Sequence, residues 1–227
     1  LLVREVVRRD FEPGARRGRR QSLVAAWRDG FAFVRREPLM RLVAGLAVLA
    51  LLTEQFMDFA LMATARETLE GAEAISAFYG RYYGATSALG MLLLAGVSGR
   101  LLGALGAARS LLVMPLAVAA AATLALVTPS LITVVVMRGV GRVLKQAVWS
   151  SSADQLQTPL SSVRRSQAKA AIRGVLAPGF YAVSAVGLGC VPSSFDTRWL
   201  AAFVLASSAA MALLALTRAG RVYHRAL

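Results

Sequence analysis

The amino-acid sequence predicts an all-α polytopic membrane protein, about six transmembrane helices preceded by a basic amphipathic helix. Three observations carry that expectation. Composition is the first: 57% of residues are hydrophobic and 17% charged, and the mean hydropathy is +0.59, values that soluble domains rarely reach. The second is a set of mainly apolar runs that attain the roughly 20 residues a bilayer crossing needs, at about 41–63, 77–98, 110–128, 131–149, 174–192 and 199–217. The third is the placement of Lys and Arg, which gather at alternate ends of these runs as cytoplasmic loops do. Residues 1–38 accordingly read as a cytoplasmic basic linker with an interfacial helix, 39–217 as a six-helix transmembrane domain, and 218–227 as a cytoplasmic basic tail.

The chain opens Leu1-Leu2-Val3 without a methionine and without the apolar core and cleavage site of a signal peptide, which predicts a fragment of a longer protein. Arg4 to Arg20 is a polybasic run interrupted by Pro13-Gly14, suited to anionic lipid. Leu23, Trp27, Phe31 and Val34 then recur at helical spacing opposite Arg20, Arg28, Arg35 and Arg36, and Pro38 ends the segment; this is the pattern of a helix lying on the inner membrane surface. A short soluble helix would show the same periodicity.

With both termini inside, the cytoplasmic side collects the N-terminal arginines, Arg100 and Arg109, then Arg164, Arg165, Lys169 and Arg173, then Arg218, Arg221 and Arg225. The outer side keeps Arg66, Arg81 and Arg198, beside Glu67, Glu70 and Glu73. A net charge of +14 therefore does not point to nucleic acid, because the cations lie between apolar runs and not on a polar domain. The lipid bilayer is the partner that this pattern implies.

Span one carries Glu54 and Asp58, one helical turn apart on one face. Two carboxylates so close in a low-dielectric setting repel, so one is protonated or paired with a cation. They form a coupling or gating pair, or a buried ion pair that fixes helix packing. Span two holds Gly80, Gly84 and Ala88 at four-residue spacing, a pattern that lets helices approach closely in lipid. Tyr79, Tyr82 and Tyr83 read as an aromatic belt at the outer boundary, with Arg81 reaching outward among them.

Span four contains Arg138, Arg142 and Lys145, which together with Trp149 fall within an arc of about 60° on a helix of about 100° per residue. Charges inside a span are costly and mark polar paths. These three are the candidate binding residues for an anionic small solute, with Gly139 and Gly141 leaving space beside them. At about 1.5 Å per residue, Glu54 lies about 13 Å and Arg138 about 10 Å from the outer ends of their spans, so Arg138 is the expected partner of Glu54 or Asp58. Arg142, with no acid at its depth, is the expected anion ligand, assisted by Lys145 from the cytoplasmic side. Span five contains Pro178-Gly179, which should kink or break it near its start.

The stretch Ser98-Gly99-Arg100-Leu101-Leu102-Gly103-Ala104-Leu105-Gly106-Ala107-Ala108-Arg109 resembles the short cytoplasmic Gly/Arg loop between the second and third helices of each half of major facilitator superfamily transporters, with Ala104 near the place of the family's acidic residue. A second stretch, Lys145-Gln146-Ala147-Val148-Trp149 through Asp154 and Pro159 to Arg164-Arg165-Ser166-Gln167-Ala168-Lys169-Ala170-Ala171-Ile172, is similar to a segment of ATP/ADP translocase-type nucleotide transporters. There Gln157 stands for the family's aromatic residue and Arg173 for its acid. The resemblance covers about residues 20–217 and implies the second, C-terminal six-helix half of a transporter that moves an anionic solute, possibly nucleotide-like, by alternating access. Its partner would be a missing N-terminal half of the same chain. The alternative is a non-transporting membrane anchor or sensor module fused to a soluble domain.

No cofactor and no metal site is expected. Cys190 and His224 stand alone, there is no phosphate-binding glycine loop, and Gly139-Val140-Gly141 lacks the third glycine of a dinucleotide fingerprint. A hydrolytic triad would have to recruit His224 from the tail. Catalysis is not expected, and the location expected is a bacterial inner membrane.

Overall fold

A computed structural model describes residues 35–155, 169–170, 172–189 and 196–219. The polybasic run, the amphipathic segment around Trp27, Arg164 and Arg165, Pro159, Cys190 and His224 lie outside the described residues. Those described form helices and short connections, with no strand among them.

Helix α1 (Pro38–Thr68) begins with Pro38 in its first turn, where the missing N–H costs nothing. It ends at Leu69, whose extended backbone still donates its N–H to Ala65 O at 2.9 Å. After Gly71, at φ 86°, comes α2 (Ala72–Gly96), bent by 54° from α3 (Ser98–Ser110) at Val97. α4 (Val113–Val127) and α5 (Leu131–Leu144) follow. A capping box starts α5: the Ser130 side chain accepts from the Thr133 N–H while the Thr133 hydroxyl accepts from the Ser130 N–H. α5 runs through a single π turn, Lys145–Trp149, into α6 (Ser150–Gln155). Another π turn, Ile172–Leu176, leads into α7 (Ala177–Gly189). Asp196 caps α8 (Thr197–Leu214) by accepting the Arg198 N–H at 2.9 Å, and a third π turn, Ala215–Ala219, closes the described chain.

Among the described residues each apolar run of the sequence falls mainly on helix, but the runs differ in length and regularity. Pro38–Thr68 and Thr197–Arg218 are long and apolar enough to cross a membrane, and the bent pair Ala72–Gly96 with Ser98–Gly106 adds a third crossing if it is one span. Val113–Val127 is apolar but shorter. Run 131–149 is divided by its π turn and carries three cations.

α1, α4, α5 and α8 supply the core. Leu46, Met57 and Leu61 of α1 meet Met114 and Val118 of α4, Val134 and Met137 of α5, and Val204 and Met211 of α8, all fully buried or nearly so. Alanines dominate where α4 and α8 meet the core, with Ala122, Ala125 and Ala201 fully buried, so the backbones approach closely. Thr53 Oγ1 and Ser207 Oγ, 2.8 Å apart, join α1 to α8 by a hydrogen bond inside the bundle. α2 and α7 stand at the margin. α7 buries no residue and α2 buries Tyr82, Thr86 and Gly90.

Three sequence expectations are revised here. The Gly/Arg stretch is helical and not an open loop; only Gly106 adopts a turn that glycine favours, at φ 73°. Gly80 and Gly84 face open space, while the glycines that admit close neighbours are Gly90, against the Gln146 side chain, and Gly141, against Met57. Pro178 does not break its helix. Proline lacks an N–H and crowds the carbonyl four residues back, that of Gly174; this carbonyl lies within the widened turn Ile172–Leu176, so the helix accommodates Pro178 and continues through Gly179.

Candidate functional site

Glu54 and Asp58, on successive turns of α1, face Arg138 of α5. Arg138 Nε donates to Asp58 Oδ1 and its Nη2 donates to Asp58 Oδ2 at 2.9 Å, the fork arrangement in which a guanidinium matches a carboxylate. The same Nη2 reaches Glu54 Oε1 at 3.3 Å. Arg138 is only 3% exposed, so nearly all of this pairing is removed from solvent. The depth relation counted along the two spans thus corresponds to a contact with both acids.

Lys145, the first residue of the π turn, donates Nζ to Glu54 Oε2. Tyr181 of α7 donates its hydroxyl to that oxygen at 3.3 Å. Glu54 therefore collects donors from three residues on two helical segments, and both carboxylates of span one are paired. An ion pair in such surroundings offsets the cost of removing two charges from water only when its geometry is good and its other polar atoms are met. Asp58 meets that condition through two bonds and Glu54 through three.

Arg142 stands apart. Its guanidinium carbon lies 4.7 Å from the ring centroid of Tyr83 on α2, a cation–π distance, and its buried Nε has no acceptor. The single stripe of cations on span four therefore divides: Arg138 and Lys145 turn to Glu54, and Arg142 turns to the aromatic face of α2. Lys145 is paired with Glu54, whereas Arg142 lies over the Tyr83 ring.

Three tyrosines stand where the sequence does not place them. Tyr181 sits well inside an apolar run, and an interior tyrosine, unlike one at a boundary, needs a hydrogen-bond partner; that depth was its signal. Tyr82 and Tyr83 were assigned to an outer belt, yet Tyr82 is 6% exposed and packs against Gly139, whose Cβ position would lie 4.0 Å from the Tyr82 ring. Tyr79, Tyr82 and Tyr83 instead form a stacked and edge-on cluster with Phe78.

A cavity of about 360 Å³ opens beside this network. Its walls are largely apolar, with Val43, Leu46 and Ala50 of α1 among them, and Lys145, Trp149 and Tyr181 border it. Lys169 and Asp154, paired at 2.9 Å, lie along the same cavity. The arrangement can hold a small molecule with an apolar body, and it can exchange ion-pair partners at Glu54 and Lys145.

Comparison of the chain with protein-family models, with curated proteins and with solved structures returned no match.

Proposed function

We propose that the chain forms one half of a secondary-transporter-like membrane protein that moves an anionic solute by alternating access. In this reading all six apolar runs cross a bacterial inner membrane, both termini of the chain lie in the cytoplasm, and a second half covers the margin formed by α2 and α7.

One observation carries the proposal: a charge network joins α1, α5 and α7 between apolar helices, pairing Arg138 and Lys145 with Glu54 and Asp58, while a third cation, Arg142, stands beside it over the Tyr83 ring with no acid paired to it. Three minus two leaves one positive charge in a setting where an uncompensated charge is costly. An anion that takes up this charge gains differential affinity for the state that exposes it, the requirement for coupling occupancy to conformation. Glu54 is suited to a gate because it alone touches cations at two levels of α5 and the hydroxyl of α7. Releasing Glu54 from both Lys145 and Tyr181 would part α1 from the π turn and from α7 on the side of the 360 Å³ cavity.

The test is uptake into proteoliposomes by the full-length protein, with labelled benzoate, phosphate and ATP offered separately. The expected result is saturable uptake of at least one of them, reduced at least tenfold by Arg142→Gln. Correctly inserted protein that takes up none of them would leave the anchor or sensor reading in place.

A further inference from the structure

Among the described residues, three buried side-chain atoms on the facing helices α2 and α5 have no hydrogen-bond partner: Tyr82 Oη, Arg138 Nη1 and Arg142 Nε. Buried polar atoms are nearly always hydrogen-bonded, and leaving even one unmet is costly. Arg138 and Tyr82 are 3% and 6% exposed, so bulk solvent does not meet their needs. Their residues are linked through shared neighbours. Tyr82 and Thr86 pack on Gly139, the residue after Arg138. Tyr83, beside Tyr82, carries the Arg142 guanidinium on its ring. The Tyr82 hydroxyl also lies within the electrostatic reach of both arginines.

We propose that Tyr82, Arg138 and Arg142 form an oxyanion site for the carboxylate of a singly charged organic acid. The inference rests on the transport reading for its biological use, though not for its chemistry. The two guanidinium N–H groups can only donate and the Tyr82 hydroxyl can donate beside them, so an acceptor without protons of its own meets all three. A carboxylate offers two oxygens and about four lone-pair positions, enough for three donors. The charge count selects among oxyanions. With one surplus cation, a monoanion brings the network to neutrality, whereas a dianion such as sulfate, or a nucleotide, leaves net negative charge in an apolar interior. Aromatic surface adjoins the site: the Phe78 and Tyr82 rings lie 6.1 Å apart, nearly parallel, and both border a groove of about 610 Å³. An aryl or alkyl body bearing one carboxylate fits these surroundings better than a bare inorganic ion.

Isothermal titration of the detergent-solubilised full-length protein with benzoate, acetate and sulfate at matched ionic strength tests the site. Benzoate is expected to bind with one-to-one stoichiometry, and sulfate at least tenfold more weakly. Tyr82→Phe keeps the ring and removes only the hydroxyl; it should raise the benzoate Kd about tenfold, since a hydrogen bond to a charged group is worth about that factor or more. Arg142→Lys keeps the charge and removes Nε, and should weaken binding by a similar factor. Failure of both benzoate and acetate to bind, sulfate binding as tightly as benzoate, or a Tyr82→Phe affinity equal to wild type would each overturn the assignment. Benzoate binding with these variant effects but without uptake would refute the transport reading alone. Uptake with an unchanged affinity in Tyr82→Phe would refute the oxyanion site alone.

Discussion

Replacing Asp58 by asparagine removes the main counter-ion of a buried arginine. Asp58 receives two bonds from Arg138, and the remaining contact of Arg138 in the network is Glu54 at 3.3 Å, an acid already shared with Lys145 and Tyr181. An asparagine can accept from one Arg138 donor, but its amide then presents a donor to the other. Removing one partner of a buried ion pair costs about 3–5 kcal/mol. The lower half of that range applies here because the Asp58 side chain remains 27% exposed. Arg138→Gln should cost a similar amount by leaving two acids to Lys145. In the double variant Asp58→Asn/Arg138→Gln both charges go, and the network keeps its surplus of one: Arg142 and Lys145 against Glu54. It should therefore be less destabilised than the sum of the singles by at least about 2 kcal/mol, the size of coupling seen between residues in direct contact. The assay is thermal unfolding of the full-length protein in detergent, followed by near-ultraviolet circular dichroism. At about 2–4 °C per kcal/mol for a chain of this size, each single variant should lower Tm by roughly 6–16 °C. Additive losses in the double variant would refute the pairing.

Three further outcomes follow from the packing. Tyr181→Phe removes one hydrogen bond to Glu54 and should lower stability by about 1 kcal/mol, with Arg138→Gln/Tyr181→Phe additive if Glu54 is held independently from each side; the same thermal assay reads both. Thr53→Ala removes the hydroxyl shared with Ser207, and at about 0.6 kcal/mol for an average interhelical bond in a membrane the Tm should fall by no more than a few degrees. Gly141→Ala places a Cβ 2.7 Å from the Met57 methyl, the flexible end of a thioether that can swing aside, so it should be tolerated, whereas Gly141→Leu should destabilise by several kcal/mol through overpacking. Equal effects of the two Gly141 substitutions on the unfolding midpoint would contradict this packing.

The sequence makes the helices legible because apolar length is a strong local signal, and Pro38, the start of α1, is marked by composition alone. The pairing of Arg138 with α1 is legible for a different reason. Charges within the apolar runs are few, and depth along a helix is a simple count, so Glu54 and Arg138 fall at one level in the sequence itself. What the sequence could not convey is which way each helix turns. Tyr82 and Tyr83 are neighbours in sequence, yet one is buried on Gly139 and the other lies under Arg142, a division made by α2 meeting α5 and by nothing in their own types. The π turns are equally silent. A turn with one extra residue has no composition of its own, and Lys145-Gln146-Ala147-Val148-Trp149 would serve as ordinary helix elsewhere. The glycines around Arg100 misled for the converse reason: helix tolerates most of them, and only Gly106 uses the freedom that glycine offers.

The three π turns share a consequence for mechanical behaviour. Lys145–Trp149 and Ala215–Ala219 both pack against α3, and Ile172–Leu176 packs near the beginning of α1, so all three lie toward the same end of the bundle. A wide turn lines up its hydrogen bonds less well than an ordinary one and gives way sooner under load. The capped starts of α5 and α8, at Ser130 and Asp196, mark the stiff end. Of the three turns, Lys145–Trp149 is the one that carries a partner of Glu54, so a change in the winding of that turn would shift the second cation of Glu54.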